Sequence, residues 1–306
     1  MRILVALGGN ALLRRGQPAD AATQGRNVEA SAVGLAELAA GHEVVITHGN
    51  GPQVGLLALQ SESYGAIAPY PLDVLGAESE GMVGHLLELA LRNQLPEREI
   101  VTVLTETVVD PDDPAFEEPS KPIGPVYSAG EAGRLRAERG WVMGRDGERW
   151  RRLVPSPEPR AISELRSLRL LVDAGVLVVC AGGGGIPVTV GADGRLRGVE
   201  GVVDKDLTAA LLARRLDADL LLMLTDVDAV RVGWGTDRER PLGRATVEQL
   251  RTMEFAAGSM APKVEAACRF VEATGRAAAI GALGDADRIV RGEAGTRVTP
   301  APSAVG

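Results

Sequence analysis

Six short apolar runs divide the chain, and each one stops at glycine or at a polar turn. They are Ile3–Leu7 before Gly8, Val44–Thr47 before His48-Gly49, and Ile100–Leu104 before Thr105. Leu177–Ala181 before Gly182, Leu220–Leu224 before Thr225-Asp226, and Ala277–Ile280 before Gly281 complete the set. Short apolar runs without alternation suit strands buried on both faces. Between them lie stretches with helical spacing: Val28–Ala39, Met82–Asn93, Ile162–Ala174, Leu207–Arg215 and Val264–Ala273. Strand and helix alternate, which predicts an α/β fold with a mainly parallel sheet covered by helices on both faces. In such folds ligands gather at the C-terminal ends of the strands.

Residues Asp110 to Pro159 break the rhythm with prolines, charges and two tryptophans. Short alternating pieces at Gly140–Gly144 and Arg149–Val154 predict an inserted subdomain or lid. Trp141, Val142, Trp150 and Val154 are expected to form a small apolar cluster within it. The 306 residues allow one large α/β domain or two smaller ones.

The net charge is -8, and the arginines are scattered without interleaved aromatics. A nucleic-acid footprint is therefore not expected, and bound phosphates must be held locally. Cys180 and Cys268 are far apart in apolar surroundings, which suits a reducing cytoplasm and offers neither a disulfide framework nor zinc spacing. No apolar stretch approaches the roughly 20 residues of a membrane span, and Met1–Leu7 is too brief for a signal segment. A soluble, cytoplasmic protein is expected.

Three strand ends are rich in glycine: Gly8-Gly9-Asn10, Gly49-Asn50-Gly51-Pro52 and Gly182-Gly183-Gly184-Gly185. Glycine lets backbone N–H groups approach a ligand, and a following helix adds its positive end. One such turn can be no more than a tight connection, but three in one sheet favour an anionic substrate. The chain lacks G-x-x-x-x-G-K-[ST], so it is not a P-loop enzyme. Gly49 to Gly55 resembles a dinucleotide fingerprint with one residue too many and a proline inside the turn.

Of 33 basic residues only Lys121, Lys205 and Lys263 are lysine. Arginine evidently serves wherever a solvated positive charge is wanted, whereas lysine is a compact point charge suited to one oxygen of a transferring phosphoryl group. Asp204 and Asp206 flank Lys205 at a helix start, where capping explains one of them. An Asp between two cations could also hold both ammonium groups. Asp226, at the end of another strand, could contact a nucleotide or simply shape its turn. His42, His48 and His85 lack metal-ligand spacing, so no protein metal site is expected.

The motifs Leu7-Gly8-Gly9-Asn10-Ala11-Leu12, His48-Gly49-Asn50-Gly51-Pro52-Gln53-Val54-Gly55, Lys121-Pro122-Ile123-Gly124-Pro125 and Val154-Pro155-Ser156-Pro157 occur in that order. Gly184-Gly185-Ile186-Pro187-Val188, Asp204-Lys205-Asp206-Leu207 and Gly258-Ser259-Met260-Ala261-Pro262-Lys263-Val264-Glu265 follow. Together, from residue 3 to about residue 298, they resemble the carbamate kinases of the amino acid kinase family. The resemblance implies one amino acid kinase domain over 1–306, an open αβα sandwich, with a protruding subdomain at about 112–158. It further implies a homodimer, with residues 1–200 serving the acyl substrate and 201–306 the nucleotide.

By the same resemblance Gly8, Gly9, Asn10, Gly49, Asn50 and Gly51 surround carbamate and the transferred group, and Lys121 approaches from the protruding part. Lys205 and Lys263 hold ATP phosphates, Asp206 aligns these lysines, and Asp226, Val230 and Met260 lie near the nucleotide. The implied cofactor is ATP or ADP with Mg²⁺, and the implied partners are carbamate and carbamoyl phosphate. The implied use is making ATP from carbamoyl phosphate in arginine metabolism. Glu80 stands where the family pattern usually has glutamine, and Arg231 and Gly233 replace the aromatic and asparagine expected after Val230.

Carbamate is already an anion, so its attack on the γ-phosphorus needs no general base; the barrier is the mutual repulsion of two anions. A kinase of another small carboxylate or phosphate in the family is the alternative acceptor reading. Acetylglutamate or aspartate would need an arginine or comparable anchor, whereas the segment at Lys121 and the insertion favour carbamate. A non-catalytic nucleotide sensor fits less well with three retained lysines and Asp206.

Overall fold

Alternate residues of the central strands feed two separate cores. In the computed structural model, which describes residues 1–13, 16–255 and 260–301, Ile3, Val5 and Leu7 of strand Arg2–Leu7 face one way. They pack with helices Ala21–Gly41 and Leu72–Gln94. Leu4 and Ala6 face the other way, against helices Leu165–Asp173, Lys205–Arg215 and Met260–Thr274. A strand apolar at every position is thus used on both faces, which is why it reads as an unbroken run.

The main sheet has eight strands, in the order Arg244–Thr246, Thr296–Thr299, Ala277–Ala282, Leu220–Thr225, Arg2–Leu7, Glu43–His48, Leu177–Cys180, Ile100–Val103. All six strands expected from the apolar runs lie in it. The pairing is parallel except between Ala277–Ala282 and Thr296–Thr299. The helix expected at Ile162–Ala174 starts later, at Leu165, because Pro159–Ile162 is a strand. That strand belongs to a second, four-stranded sheet with Glu106–Val109, Ile186–Val190 and Leu196–Gly198, which the sequence reading did not anticipate. Helix Gly51–Ser63 was likewise read only as a turn, since it opens with glycine and proline.

Strands Lys121–Tyr127, Arg149–Val154 and Val142–Asp146 form a three-stranded sheet, carrying helix Ala129–Arg139. A reciprocal Ser128–Glu131 capping box starts this helix, and Gly140 at φ 65° ends it. The small core here is Ala132, Leu135 and Met143 with Tyr127, Trp141 and Trp150. The Arg136 guanidinium stacks 4.4 Å over Trp150, and that of Arg152 lies 4.5 Å over Trp141. Two members of the expected cluster are elsewhere: Val142 is 45% exposed, and Val154 packs with Val54, Leu72, Leu75 and Val202. Val154 therefore helps to fasten the small sheet to the body. Helix Gly51–Ser63 supports it too, for a Cβ on Gly55 would sit 2.0 Å from the Gly124 Cα.

The turn Gly182–Gly184, after strand Leu177–Cys180, is held from beneath by buried polar groups. Ala181 and Gly183 both take left-handed backbone, with φ of 51° and 69°. The Thr47 hydroxyl donates to the Ala181 carbonyl at 2.7 Å, and those of Thr107 and Thr208 donate to the Gly184 carbonyl at 2.8 and 3.0 Å. The Glu80 carboxyl accepts the Gly182 N–H at 2.8 Å and the Thr105 N–H at 3.3 Å. His48 lies close by, since a Cβ on Gly182 would meet both the His48 ring and the Glu80 chain. Burial pushes the His48 imidazole down to about 4 and the Glu80 carboxyl up to about 8.

Glu80 is therefore protonated in the folded chain at neutral pH. An acid whose pKa rises on folding, here from an ordinary 4.5 to about 8, stabilises fully below the lower value. That contribution is lost as pH rises through the upper one. We expect Glu80→Gln to gain stability over the parent between pH 5 and pH 8.5, by at most ~1.4 kcal/mol per unit across the titration. Thermal midpoints of both proteins at the two pH values measure this. The weaker Thr105 contact can offset the variant by a constant, but a gap that fails to widen with pH would contradict a neutral Glu80.

Candidate active site

Four adjacent strands of the main sheet deliver their C-terminal ends to one cleft. Strand Arg2–Leu7 leads to Gly8-Gly9, Glu43–His48 to Gly49-Asn50-Gly51, Leu177–Cys180 to Gly182–Gly184, and Leu220–Thr225 to Asp226. The turns press on one another: a Cβ on Gly8 would come 3.1 Å from the Leu224 carbonyl, and one on Gly49 would come 3.1 Å from the Gly9 nitrogen. The Gly8 amide in turn bonds the Leu224 carbonyl at 2.8 Å. A side chain at Gly8 or Gly49 would crowd its neighbours, so this part of the wall is backbone.

The cleft encloses about 530 Å³. Gly8, Gly9, Gly49, Asn50, Gly51, Lys121, Lys205, Asp206, Asp226 and Lys263 all line it. Asn10 belongs to the 3₁₀ turn Gly9–Ala11, but its side chain lies outside the described residues, as do Gly258 and Ser259 of the last motif. Asn50 is buried, and its amide donates to the Ser79 hydroxyl at 2.7 Å. Helices Gly51–Ser63 and Lys205–Arg215 both begin at the cleft wall, adding two positive dipole ends.

Asp206 sits in the first turn of helix Lys205–Arg215 and is 5% exposed. Its Oδ1 accepts the Lys205 ammonium at 2.6 Å, and its Oδ2 accepts that of Lys263, from helix Met260–Thr274, at 3.0 Å. Burial opposes ionisation of Asp206, but the two ammonium groups outweigh it and hold the carboxyl well below the usual range. Burial lowers the Lys205 pKa, and repulsion from Lys263 adds to that, while Asp206 works the other way. Two cations share one anion, so the group keeps a net positive charge facing the cleft. Lys121 reaches the same space from the three-stranded sheet, its ammonium 2.5 Å from Asp204 Oδ2.

A second hollow of about 140 Å³ adjoins along Thr225 and Asp226. Met260, Phe255, Arg231 and Trp234 line it. Val230 does not, because its side chain is fully buried in the core and its amide donates to the Thr296 hydroxyl at 2.9 Å. The Arg231 guanidinium pairs with Asp228 at 3.0 Å and with Glu239 at 3.2 Å.

Residues that sequence reasoning passed over also line the cleft. Arg151 donates to the Gly124 carbonyl at 2.8 Å and was one arginine among many, with no local signal. Ser156 lay within a quoted motif but was given no part. Asp204 does cap its helix, accepting the Asp206 and Leu207 amides.

The family model for the amino acid kinase family matches residues 1–281. A carbamate kinase from Rhizobium meliloti is 54% identical over 302 residues, covering 98% of this chain and 93% of the relative. One from Haemophilus influenzae is 50% identical, covering 98% and 97%. The solved structure of carbamate kinase from Giardia lamblia bound to citric acid superposes with a TM-score of 0.92 at 39% identity, covering 98% of each chain. N-acetylglutamate synthase from Neisseria gonorrhoeae, at 16% identity and a TM-score of 0.58, shares the fold alone. The chain belongs to the amino acid kinase family, in the group of its carbamate kinases.

Proposed function

We propose that the chain catalyses reversible phosphoryl transfer between ATP and carbamate, giving ADP and carbamoyl phosphate. The observation that carries this reading is the buried Lys205–Asp206–Lys263 group at one wall of a glycine-lined cleft. In the forward direction a carbamate oxygen bonds the γ-phosphorus while the bond from that phosphorus to the β,γ-bridging oxygen breaks, and ADP leaves. No proton need be removed. The requirement is to bring two anions into line and to neutralise charge on the equatorial oxygens.

In this scheme the turns Gly8–Asn10 and Gly49–Gly51 cradle carbamate and the transferred group, and Lys205 and Lys263 contact the phosphates. Asp206 holds both lysines at fixed spacing, so little reorganisation is left for the transition state. Asp226 and Met260 border the nucleotide, with Val230 beneath them. Lys121 closes the acyl side. The full-length similarity to carbamate kinases, one of them the Giardia lamblia enzyme bound to the ATP analogue AMP-PNP, supports this choice of substrates.

Among the described residues no group of three His, Cys, Asp or Glu could hold a metal ion, and both Asp206 oxygens face ammonium groups. We therefore assign Mg²⁺ to the phosphate oxygens of the nucleotide rather than to a protein cage. When bound it would neutralise phosphate charge alongside the lysines. Among the described residues no helix is long and apolar enough to cross a membrane. The setting we propose is a cytoplasmic homodimer that makes ATP from carbamoyl phosphate in arginine metabolism.

A coupled assay of ATP formation from ADP and carbamoyl phosphate tests the reaction directly, and turnover is expected. Phosphorylation of acetylglutamate, aspartate or acetate in preference to carbamate would point to a different acceptor. For the lysines, Lys205→Arg and Lys263→Arg are each expected to lower kcat by at least ~100-fold, the scale of losing one preorganised donor. Circular dichroism of both variants checks that folding is retained. Near-normal kinetics in the folded variants would remove these residues from the mechanism.

A further inference from the structure

Asp204 carries two separate loads. Its Oδ1 accepts the backbone amides of Asp206 at 2.9 Å and Leu207 at 3.3 Å, which is the work of a helix N-cap. Its Oδ2 is turned to the Lys121 ammonium at 2.5 Å. A cap needs one oxygen and no charge, and asparagine or serine performs it about as well as aspartate. The second oxygen and the negative charge are surplus to capping.

Lys121 needs such a partner. It stands at the first position of its strand, in a sheet that pairs only with itself, and its side chain is 30% exposed. A lysine stem left to itself samples many rotamers and loses them on ordering. The Asp204 side chain is 16% exposed and fixed by its own helix, so it offers a rigid, largely desolvated acceptor. An ammonium has three donors, and one spent on Asp204 leaves two for an incoming anion.

We infer that Asp204 is a positioning residue for the transfer reaction, acting through Lys121: it ties that ammonium to the helix bearing Lys205 and Asp206, across the mouth of the cleft. The inference rests on the proposed function and extends it. The segment Asp204-Lys205-Asp206 then supplies carboxylates to all three lysines of the chain, Asp206 to two of them and Asp204 to the third. The spacing of Lys121 from the Lys205–Lys263 pair is then set by one turn of helix as well as by the seating of the small sheet on helix Gly51–Ser63.

The test uses Asp204→Asn and Asp204→Ser in the full chain, since both keep a capping oxygen and lose the charge. Thermal midpoints within ~3 °C of the parent are expected, because the cap survives. With ADP and carbamoyl phosphate, kcat is expected to fall at least ~10-fold, toward the ~100-fold that a misplaced group can cost, with KM for ADP little changed. In a Lys121→Met background the same replacement should cost less than ~2-fold more, because coupled residues do not add. Parent-like kcat in either folded variant overturns the inference, and so does an equal loss with and without Lys121. Collapse of the fold in both variants would assign the charge to stability alone and overturn it as well. The parent enzyme is assayed alongside: failure of the parent to use carbamoyl phosphate counts against the proposed reaction, whereas an active parent with unaffected variants counts against Asp204 only.

Discussion

Burying two ammonium groups side by side is possible only with an anion between them, and Asp206 is that anion. An unpaired buried charge costs several kcal/mol, and a paired one still loses its hydration. Here the pairing is deliberately incomplete, since one carboxylate answers two cations. The remaining positive charge faces the cleft, and in the proposed reaction a nucleotide phosphate would satisfy it. The chain as a whole is acidic, at -8. In the proposed reaction, attraction for an anionic substrate would therefore be a property of the cleft and not of the molecular surface.

That charge group would be useless on a mobile support, and the fold supplies a stiff one. Helices Lys205–Arg215 and Met260–Thr274 contribute Ala209, Leu212, Ala213, Ala266, Ala267 and Phe270 to one core, together with Leu4, Leu221 and Ala278 of the sheet. Small residues bring the two helices close to each other and to the strands, which is how Lys263 reaches a carboxylate 57 positions away in sequence. Opposite them, three of the four neighbouring strand ends turn on glycine, leaving backbone amides at the wall of the cleft. The Glu80 carboxyl below the third turn complements this arrangement. Being neutral at physiological pH, it bonds the Gly182 amide without cancelling the positive field above it.

How much of this was legible depended on whether a signal is local. Five of the six strands were readable because burial on both faces leaves an apolar run, and the edge strand Ile100–Val103 still reads as apolar despite Thr102. Strands such as Glu106–Val109 and Pro159–Ile162 were not readable, being short and mixed in polarity, the second also opening on proline. Helix Gly51–Ser63 was hidden by Gly51-Pro52, which start a helix as readily as they make a turn. Alternation placed Val142 and Val154 on strands but could not tell which faces were covered; pairing of Val142 with Leu153 turns one outward and leaves the other on the body. The lysines stood out by scarcity alone, and the structure brings all three to the cleft. The second oxygen of Asp204 had no local trace, because its partner is 83 residues away.

The contrast between three lysines and thirty arginines has a geometric cause that the cleft makes visible. Elsewhere guanidinium groups form forked surface pairs, as Arg197 does with Asp193 or Arg251 with Glu272. A guanidinium is planar and presents parallel donors that match both oxygens of one carboxylate. Placed at position 205 or 263, it would be able to take both Asp206 oxygens and displace the other cation, leaving its remaining donors fixed in one plane. An ammonium takes a single oxygen and keeps two donors on a tetrahedral centre. Two ammonium groups can therefore share Asp206, and in the proposed reaction they would still have donors left for the oxygens of a phosphoryl group that changes shape during transfer.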